Sequence, residues 1–157
     1  RGASVTARSP IVGVGPDGLA GLTARSRDLL TAADVVFGSD ATLRLLPELT
    51  AERVRIGADL PDVVEKVRGL LGKKKLAVAA GGDPLFYGTA RYLSDRIGAE
   101  HFEVVPHVSS MQLAFARVME TWEEAYLTAL SARPLDAPIP RVRTAETGGL
   151  FPSEDYP

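Results

Sequence analysis

Gly81, Gly82, Asp83 and Pro84 combine residue types that together can do chemistry. Adjacent glycines let the backbone turn through positive φ and let a ligand come close to its N–H and C=O groups. The neighbouring carboxylate can pair with an amine or with hydroxyls, and the proline ends strand pairing and stiffens the exit. The turn follows Leu76 to Ala80, an uncharged apolar run suited to a strand buried on both faces of a parallel sheet. Thr89 to Ile97, after it, has a helical pattern. In open α/β sheets ligands bind at the carboxyl ends of the strands, where this turn lies. A plainer reading of the same residues has Asp83 simply capping the next helix.

Two more turns of small residues follow predicted strands. Gly13-Val14-Gly15-Pro16-Asp17-Gly18 has the form G-x-G-x-x-G. The dinucleotide fingerprint also wants a helix opening within the glycines and an acid ending the second strand. Pro16 interrupts the motif, the next helix opens only near Thr23, and the second strand ends Val35-Val36-Phe37-Gly38, so nicotinamide binding is not expected. The third turn is Pro106-His107-Val108-Ser109-Ser110. Its paired serines offer hydroxyls and free N–H groups at a helix start, suited to carboxylate or ribose oxygens. Either serine alone is equally accounted for as an N-cap. A parallel topology places all three turns on one rim.

The elements that must position these turns are legible in order. Pro10 to Val14 reads as the first strand, and Thr23 can N-cap a helix to about Ala32. Val35 to Phe37 is a second strand, Leu43 to Leu46 a brief helix, and Arg53 to Ile56 a third strand. From Leu60 to Leu71, Val63, Val64, Val67, Leu70 and Leu71 form one helical face, ended by Gly72. Lys73, Lys74 and Lys75 could meet a phosphate, or could complement the helix C-terminus and stay solvated. Phe102 to Val105 is a fifth strand. Met111 to Val118 reads as a helix with Leu113, Ala114 and Val118 inward, and Tyr126 to Leu130 as a possible sixth strand. Strands alternating with helices predict an α/β fold with a parallel, doubly wound five-stranded sheet. Five prolines crowd the last 24 residues, from Pro134 to Pro157, and predict a tail with neither helix nor central strand.

Bulk properties set bounds. A net charge of −2 supplies no basic field for nucleic acid or anionic membrane. There is no cysteine, which excludes disulfides, thiolate catalysis and thiolate metal sites. His101 and His107 alone make no convincing zinc site, so no metal is expected. No apolar run approaches the ~20 residues that span a bilayer, and the arginine-bearing N-terminus lacks the apolar core of a secretory signal. A cytoplasmic protein is expected.

GVGPDGLAGLT, AAGGDPLFYG and PHVSSMQLAFAR, in this order, resemble the tetrapyrrole methylase family, the S-adenosylmethionine-dependent enzymes of corrin and sirohaem synthesis. GDPLFYG and VSSMQLAFAR, with TWEEA downstream, most resemble the branch that methylates carbon 5 of a corrin precursor, the precorrin-6Y C5,15-methyltransferase and cobalt-precorrin-7 type. The resemblance runs from about Ile11 to Leu130. It implies two α/β domains with the methyl donor, S-adenosyl-L-methionine, folded in the cleft between them. Carried over residue by residue, it implies Pro16 beside the cleft, Gly81, Gly82 and Asp83 holding the methionine or ribose portion, Phe86 packing on it, and Ser109 and Ser110 completing the pocket. It further implies a tetrapyrrole substrate and a homodimer, with no role for nucleic acid or membrane.

These residues frame further expectations. Residues 1–9 are expected to be a flexible lead-in, 10–106 an N-terminal α/β domain, and 107–157 the incomplete start of a second α/β domain. The intact polypeptide is expected to be longer and to self-associate. The resemblance implies glycine where this chain has His107, which therefore either points to solvent or narrows the pocket. No catalytic base is assigned; Asp59 is a nearby acid or a helix cap. Gly82→Val is expected to block the pocket while sparing the fold, and Asp83→Ala to weaken donor binding. The implied activity is C5 methylation in cobalamin biosynthesis. The alternatives are another activity of the family, such as uroporphyrinogen-III methylation, or a non-catalytic fragment that binds only cofactor or a partner.

Overall fold

The computed structural model describes residues 7–86, 88–129 and 148–151. The chain divides into two units, Arg1–Ser109 and Ser110–Pro157.

The first unit is a five-stranded, wholly parallel sheet: β1 (Ser9–Val14), β2 (Val35–Gly38), β3 (Glu52–Arg55), β4 (Leu76–Gly81) and β5 (Phe102–Val105), in spatial order β3-β2-β4-β1-β5. Between them run α1 (Ala24–Thr31), α2 (Asp40–Arg44), α3 (Leu60–Leu70) and α4 (Thr89–Ile97). Successive strand residues face opposite sides, and the core divides accordingly. Ile11, Phe37 and Val78 pack with Val63, Val67 and Leu93, from α3 and α4. Val12, Val36 and Ala77 pack with Leu30 and Leu43, from α1 and α2. Both sheet faces are thus covered, which is why the strand sequences read as unbroken apolar runs. Fully burying one such side chain contributes about 1.5–3 kcal/mol.

Local chemistry sets the helix ends. The Thr23 hydroxyl accepts from Ser26 N, and the Ser39 hydroxyl from Thr42 N. Asp59 caps α3 by accepting from Asp62 N at 3.1 Å, so it takes the capping role rather than that of a free acid. Gly72 leaves α3 at φ +74, and the N–H groups of Lys73 and Lys74 both donate to Leu70 O. The three lysines are exposed, as their solvated reading expects. The loop between α2 and β3 is held by Arg53, whose guanidinium donates to the carbonyls of Leu43, Leu46 and Leu49.

The connections follow from the strand order. From β1 the chain moves through α1 to β2 on one side, and from β4 through α4 to β5 on the other. β1 and β4 are neighbours, so the crevice between their carboxyl ends is a topological switch point.

The second unit holds α5 (Ser110–Val118), β6 (Tyr126–Ala129) and β7 (Gly148–Phe151). Here one expectation fails. In α5 it is Phe115 that is buried, stacked on Trp122 with ring centroids 6.4 Å apart, while Ala114 is exposed and Val118 is 65% exposed. The tail holds one strand, Gly148–Phe151, pairing in parallel with β6, Tyr126 against Gly148; in a sheet of two strands it is an edge strand, not a central one. None of these four residues is proline, so their N–H groups are available to a ladder. Leu130 and the other tail residues lie outside the described residues. No helix among the described residues is long and apolar enough to cross a membrane.

Candidate functional site

The three small-residue turns meet at the carboxyl end of β1. Gly82 N donates to Val14 O at 2.9 Å, and Gly82 O accepts from His107 N at 3.2 Å. The chain leaving β4 therefore passes over β1 and bonds the chain leaving β5. This crossing is possible only because position 13 has no side chain. A Cβ on Gly13 would stand 2.1 Å from Gly82 O and 2.6 Å from His107 N. Two residues on, and so on the same face, Gly15 carries the His107 ring: Nε2 and Cδ2 lie 2.6 and 2.8 Å from where a Cβ would be. The G-x-G of the first turn is thus a track for backbone and ring, which explains glycines that otherwise mimic a phosphate-binding motif.

Each expected site residue has a definite place. Pro16 is exposed, in a turn closed by Gly18 N donating to Gly15 O at 3.0 Å. Gly81 ends β4 opposite Val14, is exposed, and has nothing within 4 Å of a Cβ built on it. Gly82 turns at φ +65, its Cβ position 3.1 Å from Ser109 Cα. Asp83 does not cap α4, whose N-cap is Gly88. Its Oδ1 accepts from Leu85 N at 2.9 Å, so it holds its own loop as an Asx turn. Phe86 is partly buried, its N–H donating to Asp83 O. Ser109 lies beside Gly82, whereas Ser110 opens α5 in the second unit.

One correction follows, and one open alternative is decided. Gly82→Val does not spare the fold: a β-branched residue at positive φ is a steric outlier, and its side chain would press on Ser109. His107 takes the inward alternative, its ring on Gly15 rather than directed wholly to solvent. Gly13 and Gly15 are working parts that their residue types alone do not announce. The available signal was two glycines at i, i+2 on one strand end, which demand something lying on that face.

Gly15→Ala is a mild test of this geometry. The added methyl meets the far end of a side chain, not backbone. The ring should swing away at a cost of about 1 kcal/mol or less. Thermal unfolding should show a small loss that the second substitution His107→Gly removes. Additive losses in that double-mutant cycle would mean that the ring does not rest on Gly15.

A cavity of about 1010 Å³ opens elsewhere, lined by Arg8, Ser9, Asp34, Lys75 and Leu76 among others. These residues mark the amino ends of β1, β2 and β4. None of the three turns contributes to it, so it is not the candidate site.

Comparison with known proteins bears on what the rim does. Residues 10–146 match the model of the tetrapyrrole (corrin/porphyrin) methylases. The chain is 32% identical over 151 residues to a precorrin-6Y C(5,15)-methyltransferase [decarboxylating] from Sinorhizobium, covering 92% of this chain and 36% of that protein. It is 29% identical over 123 residues to a cobalt-precorrin-7 C(5)-methyltransferase from Salmonella typhimurium, covering 78% of this chain and 61% of that one. It therefore spans less than two thirds of either relative. The fold is shared with a precorrin-6Y methylase of Archaeoglobus fulgidus, at TM-score 0.68 and 24% identity over 80% of this chain and 66% of that one.

Proposed function

The chain belongs to the tetrapyrrole (corrin/porphyrin) methylases, and from that premise we propose that it serves S-adenosylmethionine-dependent methylation of a corrin precursor at carbon 5, in cobalamin biosynthesis. One observation carries the choice of position. The chain matches both a relative named for carbons 5 and 15 and one named for carbon 5 alone. Carbon 5 is what the two names share.

The first unit fits the donor on its own geometry. Gly81 presents bare backbone to open space at the switch-point crevice. Gly81 and Gly82 would hold the donor through close backbone contacts, with Pro16, Asp83, Phe86, Ser109 and Ser110 around it. When bound, the donor supplies an electrophilic sulfonium methyl. The chain's contribution to such a displacement is orientation at near-attack distance. The turns suit that task, because two backbone hydrogen bonds tie them together. The substrate is a tetrapyrrole of the precorrin-6Y or cobalt-precorrin-7 type, 107–157 opens a second α/β domain, and the working form is a cytoplasmic homodimer.

Titration calorimetry of the full-length protein with S-adenosylmethionine, its demethylated product and NADH tests this reading. Binding of the first two and not of NADH is expected. NADH binding with neither of the others would return the first turn to a dinucleotide role.

A further inference from the structure

We propose that the imidazole of His107 is the proton acceptor of the methylation; the proposal rests on the function just argued. Forming the bond at an unsaturated carbon 5 uses that carbon's electron pair, while the pair of the broken S–CH₃ bond stays on sulfur. The carbon then carries both the new methyl and its original hydrogen. That hydrogen must leave as a proton, its bonding pair restoring the double bond, and a base must receive it.

Three acids of the first unit's carboxyl rim are otherwise engaged. Asp83 holds Leu85 N, Asp59 holds Asp62 N, and Asp40 is paired with Arg55 at 2.7 Å. Asp17 is exposed and folded back, its Cβ 2.8 Å from the Cβ position of Gly21. His107 is different. Its N–H fixes the residue to Gly82, its ring lies on Gly15 beside Pro16, and among the described residues the imidazole has no hydrogen-bond or ion-pair partner. An imidazole anchored through its backbone and free at its ring, on Gly15 just past the carboxyl end of β1, is placed to take a proton.

The test uses the full-length protein with precorrin-6Y as acceptor. In ¹⁵N-histidine spectra the His107 ring signal is the one that His107→Gly removes. The His107 ring signal should shift when precorrin-6Y is added without donor. His107→Gly keeps the N–H that bonds Gly82. It should lower turnover by about 10²–10⁴-fold, while the melting temperature and calorimetric affinity for the demethylated donor stay unchanged. Free imidazole in the buffer should restore turnover to His107→Gly in proportion to its concentration, and should not restore His107→Gln. Turnover of His107→Gly within threefold of the parent protein, or a loss that imidazole leaves untouched, overturns the proposal. Failure of the underlying function would look different, since the parent protein itself would transfer no methyl group.

Discussion

Gly13→Ala is expected to be the most damaging single-methyl change in the first unit. The methyl would stand 2.1 Å from Gly82 O and 2.6 Å from His107 N. Both are backbone atoms, so no rotamer change relieves the clash. The β4 chain must lift off β1, which breaks the Gly82–Val14 and His107–Gly82 hydrogen bonds. Overpacking costs about 1–3 kcal/mol and each lost bond about 1 kcal/mol, so a loss of about 3 kcal/mol or more is expected. For a chain of this size that lowers the melting temperature by about 10 °C. Donor binding should fall with it, because all three turns lose their common anchor. Thermal unfolding within about 2 °C of the parent protein would mean that the backbone crossing over Gly13 is not formed.

Gly81→Val should do the reverse, sparing the fold and removing the ligand. Gly81 continues β4, where a β-branched residue is well accommodated, and a side chain there meets nothing within 4 Å. Stability should change by about 0.5 kcal/mol or less. The open space above Gly81 is where the donor is proposed to lie, so its affinity should fall at least about a hundredfold, close to 2.8 kcal/mol. Calorimetry and thermal unfolding on the same preparation read both quantities. Unaltered affinity at unaltered stability would remove Gly81 from the site. Gly82→Val cannot make this distinction, since its positive φ confounds backbone strain with loss of the pocket.

What the sequence disclosed follows from how local each signal is. The bounds of β5 and α4 match expectation to the residue, because an apolar run and a helical pattern are each closed by glycine or proline nearby. The switch-point crevice was foreseeable only as a shared rim, since the order β3-β2-β4-β1-β5 is a property of the assembled sheet. The inward face of α5 was not legible: Ser110–Val118 reads SMQLAFARV, so apolar on most sides that periodicity selects no face. Phe115 is chosen by its contact with Trp122. β7 was hidden because its partner, β6, lies some twenty residues away and prolines dominate the surrounding composition. The site itself was half visible. Glycine and aspartate types marked the turns, but Asp83 serves its own loop. The roles of Gly13, Gly15 and His107 depend on residues about seventy to ninety positions distant.

The central claim is that this chain serves methyl transfer to carbon 5. Its most direct test is to incubate the full-length protein with precorrin-6Y and S-adenosylmethionine carrying a ¹³C-methyl group, and to locate the label in the product by NMR. The account predicts one labelled methyl on carbon 5, formed in proportion to enzyme and absent with Gly81→Val. Label at another carbon only, or a corrin precursor recovered unlabelled by a protein that binds the donor, would contradict it.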